Sequence, residues 1–107
     1  MKLRTFEKLW HRFNDEHFEG AMLPPKFRRT RSNDYWACYE NDPQERQGTI
    51  VVNYKSHWQM TAIFFHEMVH QYVEEVLGIE EDNHHGEVFW KTYYERAPYG
   101  MTIAESF

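Results

Sequence analysis

The chain has 107 residues and a formal net charge of −5. That is the length of one domain and too short for a core plus a second module. Apolar residues make up 41% and aromatics 18%, a supply of large side chains that excludes a disordered segment. The acidic balance argues against a general nucleic-acid binder, and the single cysteine, Cys38, excludes an intrachain disulfide or a cysteine-based zinc cluster.

The charge is uneven. Residues 1–31 hold eight Lys/Arg against four Asp/Glu, and residues 32–107 hold four against thirteen. A basic end and an acidic body would orient a partner, although a solvated surface is the simpler reading. The start, "MKLRTFEKLWHRF", has no apolar leader core, and no apolar run is long enough to span a bilayer. The expectations are therefore a cytoplasmic protein with no membrane partner. Cys38 is expected to pack as a small apolar residue.

In chain order, Leu3, Phe6, Trp10, Phe13 and His17 recur at steps of three and four, which predicts a helix over 3–18. Gly20 and the pair Pro24-Pro25 end it. Turn signals at Asn33-Asp34 and Asn41-Asp42-Pro43 separate short β-rich pieces over 26–31, 35–40 and 48–54. Short links predict a three-stranded, mostly antiparallel sheet. The apolar run Ile50-Val51-Val52 suggests a central strand, which leaves 35–40 as the better edge. Ser56 and Gln59 form a capping-box pattern. From there the sequence runs without Pro or Gly to Gly78, which predicts one long helix. Its apolar residues, Trp58, Ala62, Phe65, Val69, Tyr72 and Val76, cover most of its circumference and predict burial. "GIEEDNHHG" reads as a loop, and 87–97 as a last helix stopped by Pro98. The fold class is α+β: an N-terminal helix, a small sheet, a long central helix and a short final one.

The long helix carries "HEMVH", residues 66–70. Positions i and i+4 share a helix face, so His66 and His70 project side by side and can grip one zinc ion. Glu67 points to the edge of that face. It is badly placed as a ligand there but well placed as a base, since zinc makes water acidic near neutral pH. The bland alternative is a pair of core histidines bonded to their neighbours. A catalytic zinc needs a third protein ligand. The extended metzincin pattern is absent, because Val73 and Val76 occupy its Gly and His places. Glu87 or Glu95 from a later helix, or His84 or His85 from the loop, remain as candidates.

These pieces resemble the SprT family of zinc metalloproteases, which includes the Spartan-type proteases. That family reads HEMxH and later H-G-x-x-F/W. Here the matching residues are His66-Glu67-Met68-Val69-His70 and His85-Gly86-Glu87-Val88-Phe89-Trp90. "FNDEHFEGAMLPP" is similar to the family's entry segment, and "GTIVVNY" to the strand before its active-site helix. The resemblance implies one Zn²⁺ per chain held by His66, His70 and His85, with Glu67 catalytic. Gly86 would relax the backbone where the loop turns back. His84 is expected to be an exposed neighbour, and Phe89 and Trp90 to pack on the long helix. The implied activity is peptide-bond hydrolysis in protein or peptide substrates, preferably unstructured segments docked as an added strand.

With one cysteine, no C-terminal zinc ribbon of the kind family members commonly carry is expected, which puts DNA-dependent activation in doubt. Lys26, Arg28, Arg29 and Arg31, followed by Tyr35 and Trp36, could touch a phosphate backbone and stack a base. The favoured reading is a strand's wet face, with weak nucleic-acid binding at most. The alternative to an enzyme is a non-catalytic, zinc-stabilised binding module, with or without DNA association. Glu67 argues against it, because a structural zinc has no use for that carboxylate.

Overall fold

A computed structural model describes residues 1–81 and 83–101. Helix α1 runs over Leu3–His17 and buries Phe6, Trp10, Phe13 and Asn14 on one face, as the spacing requires. It ends where Gly20 adopts φ +66 and donates its N–H to the Asn14 carbonyl at 2.8 Å, a left-handed cap that glycine adopts without steric cost. The buried Asn14 amide also clamps Met22, accepting its N–H at 3.1 Å and donating to its carbonyl at 3.2 Å.

The sheet consists of β1 (Lys26–Thr30), β2 (Ala37–Glu40) and β3 (Thr49–Asn53) in the order β1-β3-β2. Strand β3 is central, and Ile50, Val51 and Val52 are each 0% exposed, as expected. The sheet is mixed rather than mostly antiparallel: β3 runs parallel to β1 and antiparallel to β2. Segment 31–36 does not fold β2 back onto β1 as a hairpin. It carries the chain one strand position further, and β3 fills the gap. The buried Asn53 side chain holds that segment in place, donating to the Ser32 carbonyl at 2.7 Å and the Tyr35 carbonyl at 3.0 Å.

Helix α2 spans Met60–Gln71, so the capping box at Ser56 is not its start. The His57 ring intervenes: its Nδ1 accepts the Gln59 N–H at 2.9 Å, and its carbonyl accepts the Met60 N–H at 3.0 Å. Trp58 lies before the helix and is 84% exposed, not buried as its spacing suggested. The rest of α2 is apolar and buried around most of its circumference. It continues into one π-helical turn, Tyr72–Val76, where the Leu77 N–H reaches back to the Tyr72 carbonyl at 3.1 Å. Gly78 at φ +64 then ends the helix as anticipated.

Helix α3 covers Glu87–Arg96. Arg96 donates to the His17 carbonyl at 3.1 Å and the Tyr72 hydroxyl at 2.9 Å, fastening α3 to both other helices. In the core, Phe64 lies 5.1 Å from Phe6, and Phe65 packs against Phe13, Phe18 and Tyr93 at 5.3–5.4 Å between ring centres. The architecture is α+β, as expected: α2 packs against β2 and α3, and α1 lies against β1. Among the described residues, no helix is long and apolar enough to cross a membrane.

Candidate metal centre

One turn of α2 presents His66 and His70 side by side, their ring centres 5.0 Å apart. The loop before α3 brings His85 onto them. Its Nε2 lies 3.0 Å from His66 Nε2 and 3.2 Å from His70 Nε2. Nitrogens each about 2.0–2.1 Å from one tetrahedral ion stand roughly 3.3 Å apart, so the spacing fits a shared cation. A single N–H between such rings satisfies one pair and leaves the other nitrogen facing a lone pair. Three neutral imidazoles aimed at one point are the donor set that a borderline-soft divalent ion takes. Among the described residues, His66, His70 and His85 are the group whose ligand atoms converge in this way.

Burial and neighbouring histidines favour the neutral form of two of the donors. Burial, then the neighbouring His85 and His84, push the His70 pKa down to about 4. Burial and His84 also lower that of His85. A neutral imidazole offers the lone pair that ligation needs. His66 is fully buried, whereas His70 and His85 are partly exposed, so the cluster opens on the side of the loop.

Phe89 forms the floor. Its ring centre lies 4.7 Å from that of His66, 4.4 Å from His70 and 5.1 Å from His85. Trp90 flanks His66 and His85, each at 6.1 Å. These two aromatics therefore pack on the histidines themselves, and their bulk restricts ring rotation.

Glu67 is buried beside the cluster. Its Oε1 accepts the backbone N–H of Tyr39 on β2 at 2.9 Å. Its Oε2 lies 4.0 Å from His66 Nε2. Burial pushes the carboxyl pKa up to about 8, the Tyr39 N–H pulls it down and Glu74 pushes it up. A nearby divalent cation acts in the lowering direction.

The other candidates fall outside the convergence. His84 is exposed, with its ring centre 6.5 Å from that of His70. Glu87 and Glu95 are exposed and line a groove between the π turn and α3. Cys38 is half-buried, donating weakly to the Tyr39 carbonyl at 3.7 Å.

The basic stretch is engaged with the protein itself. Lys26 pairs with Glu45 at 3.1 Å and Arg28 with Glu40 at 3.2 Å. Arg29 donates to the Met1 and Asn53 carbonyls at 2.7 and 3.2 Å, and Arg31 lies 4.2 Å over the Tyr54 ring. Trp36 packs partly against the core and meets His57 at 4.9 Å.

Two features of the site were not read from the sequence. The Tyr39 N–H is backbone, and no side-chain pattern announces it. The other is Glu81, whose carboxylate accepts the Phe89 N–H at 3.0 Å and the Val88 N–H at 3.3 Å. Gly86 itself has φ −79, a value open to any residue, so backbone relaxation is not what calls for glycine there. A Cβ on Gly86 would collide with Glu81 Oε2 and come within 2.8 Å of Glu81 Cδ. A side chain at this position would have to displace the Glu81 carboxylate. No known family model matches the chain, and no curated protein matches it.

Proposed function

We propose that this chain is a zinc-dependent peptidase that uses His66, His70 and His85 as metal ligands and Glu67 as its general base. The observation that carries the reading is the position of Glu67, with one oxygen fixed by the sheet and the other turned to the three-nitrogen cluster at 4.0 Å from His66 Nε2. A structural metal site would gain nothing from burying a carboxylate there at a desolvation cost. The sequence resemblance to SprT-type proteases agrees with this assignment.

When bound, zinc supplies Lewis acidity that polarises a carbonyl and makes water a nucleophile near neutral pH. The chain's residues do the rest. Glu67 Oε2 takes the proton of the attacking water and returns it to the leaving amine. The Tyr39 N–H keeps the carboxylate from rotating away. His66 and His70 hold their orientation through the rigid helix and the Phe89 ring.

A protein or peptide substrate docks as an added strand on β2. The Trp36 carbonyl accepts the Asn53 N–H at 2.8 Å, so by alternation residues 36, 38 and 40 face β3 while Ala37 and Tyr39 direct their backbone groups to the open edge. Glu67 occupies the Tyr39 N–H, which leaves Ala37 free to pair. A cavity of about 380 Å³ lies beside it, lined in part by Trp36, Ala37 and Ile63. Backbone pairing of this kind favours unstructured segments over particular side chains. Nucleic acid is at most a weak partner in this reading, and the location is the cytoplasm.

Elemental analysis of the purified protein, followed by cleavage of an unfolded protein substrate with and without a chelator, tests the proposal. One zinc per chain and chelator-sensitive cleavage are expected. A metal-free protein, or cleavage indifferent to chelation, would refute it.

A further inference from the structure

The third ligand comes from a loop, and loops do not hold a side chain in position without fastening. The fastening is visible in the hydrogen bonds around His85. The Asn83 side chain accepts the His85 N–H at 3.1 Å, and the Asn83 carbonyl accepts the Gly86 N–H at 3.0 Å. These contacts shape the turn but do not tie it to the rest of the chain. Glu81 does. Its two carboxylate oxygens accept the N–H groups of Val88 and Phe89, the second and third residues of α3. Gly86, the residue that would normally cap this helix, has no side chain to do so.

Glu81 thus caps α3 from the far side of the turn. A carboxylate at a helix N-terminus satisfies two orphan donors and lies favourably in the helix field. The same bond closes the loop around residues 83–86, with His85 inside it. The following helix is in turn held on the cluster by Phe89, whose N–H Glu81 accepts and whose ring touches all three histidines.

We propose that Glu81 is a positioning residue for the metal site: its bidentate cap on α3 presets His85 against His66 and His70, so that the third ligand need not be ordered when metal binds. The inference rests on the zinc reading and adds the source of its affinity. Without the cap, His66 and His70 would still be side by side on α2, but His85 would pay an ordering cost on each binding event.

The test is zinc affinity by competition with a chromogenic chelator, for wild type, Glu81→Ala, Glu81→Gln and Gly86→Ala. It is read beside hydrogen exchange of the Val88 and Phe89 amides in the metal-free proteins. Glu81→Ala is expected to weaken zinc binding by about 10- to 100-fold, the range typical when groups supporting a ligand are lost, and to speed exchange at both amides. Glu81→Gln, whose amide oxygen still accepts, should recover part of both. Gly86→Ala should weaken binding by displacing the carboxylate, and it carries the comparison if Glu81→Ala fails to fold. A merely structural Glu81 would lower the melting temperature and leave zinc affinity unchanged. Equal affinity in wild type and the Glu81 variants would overturn the inference while leaving the zinc reading intact. A wild-type protein that takes up no zinc would overturn both.

Discussion

The Tyr39 backbone N–H donates to Glu67 Oε1 at 2.9 Å, joining the edge strand of the sheet to the carboxylate beside the histidine cluster. Strand β2 and the proposed base are therefore one mechanical unit. Under the proposed function, a substrate strand laid along that edge would be registered against the carboxylate by the same backbone that holds it.

That coupling makes Ala37→Pro informative. The Ala37 N–H points away from β3, so proline removes no bond of the sheet ladder, which edge positions tolerate. The variant should stay folded and keep its zinc. Peptide cleavage should drop roughly 3- to 10-fold in kcat/KM, the equivalent of one net hydrogen bond. Circular dichroism, metal content and peptidase assay together check it. An unfolded variant would place the N–H in the ladder, and unchanged cleavage would place substrate elsewhere.

His85→Ala should lose zinc and lower the melting temperature in zinc-containing buffer, since a ligand at 100 times its Kd stabilises the folded state by about 2.7 kcal/mol. His84→Ala and Glu87→Ala should retain the metal, because neither side chain joins the convergent group among the described residues. Elemental analysis of the three variants decides. Metal loss in the latter two with retention in His85→Ala would reverse the ligand assignment.

Cys38 should be a slow nucleophile. Burial first, then the charges of Glu67, Glu40 and Glu74, push its thiol pKa up to about 11 from the usual 9.0. Only the thiolate reacts, so alkylation by iodoacetamide at pH 8 should run about 100-fold slower than for an ordinary thiol. Denaturation should restore the ordinary rate. Rapid alkylation of the native protein would contradict the burial.

Single-stranded DNA should bind weakly, and less as salt rises. Lys26 and Arg28 already pair with Glu45 and Glu40, and the chain carries a net charge of −5. Fluorescence anisotropy at several salt concentrations measures this. Submicromolar, salt-resistant binding would require a nucleic-acid surface that these pairings do not offer.

Much of the scaffold was legible because its signals are local. The stripe of Phe6, Trp10 and Phe13 defines α1, the run Ile50-Val51-Val52 marks the buried central strand, and Gly78 marks the helix end. His66 and His70 followed from helix geometry alone. What was not legible depended on distant partners. Parallel pairing of β1 with β3 goes with a 31–36 segment that the Asn53 side chain ties down, a contact that no turn pattern in that segment reveals. The capping box at Ser56 lost to the His57 ring, a competing acceptor for the same helix entry. Glu81 sits five residues before Gly86 and looks like one more loop acid. Its cap on α3 shows only in the fold, where its carboxylate accepts the Val88 and Phe89 N–H groups.

The zinc-peptidase proposal stands or falls most directly on Glu67→Gln, assayed for zinc content and for cleavage of an unfolded protein beside wild type. The amide is nearly the same size but cannot take a proton at neutral pH. The variant should keep its fold and one zinc per chain while hydrolysis falls by about 100-fold or more. Cleavage at the wild-type rate, or release of the metal, would contradict the role assigned to this carboxylate.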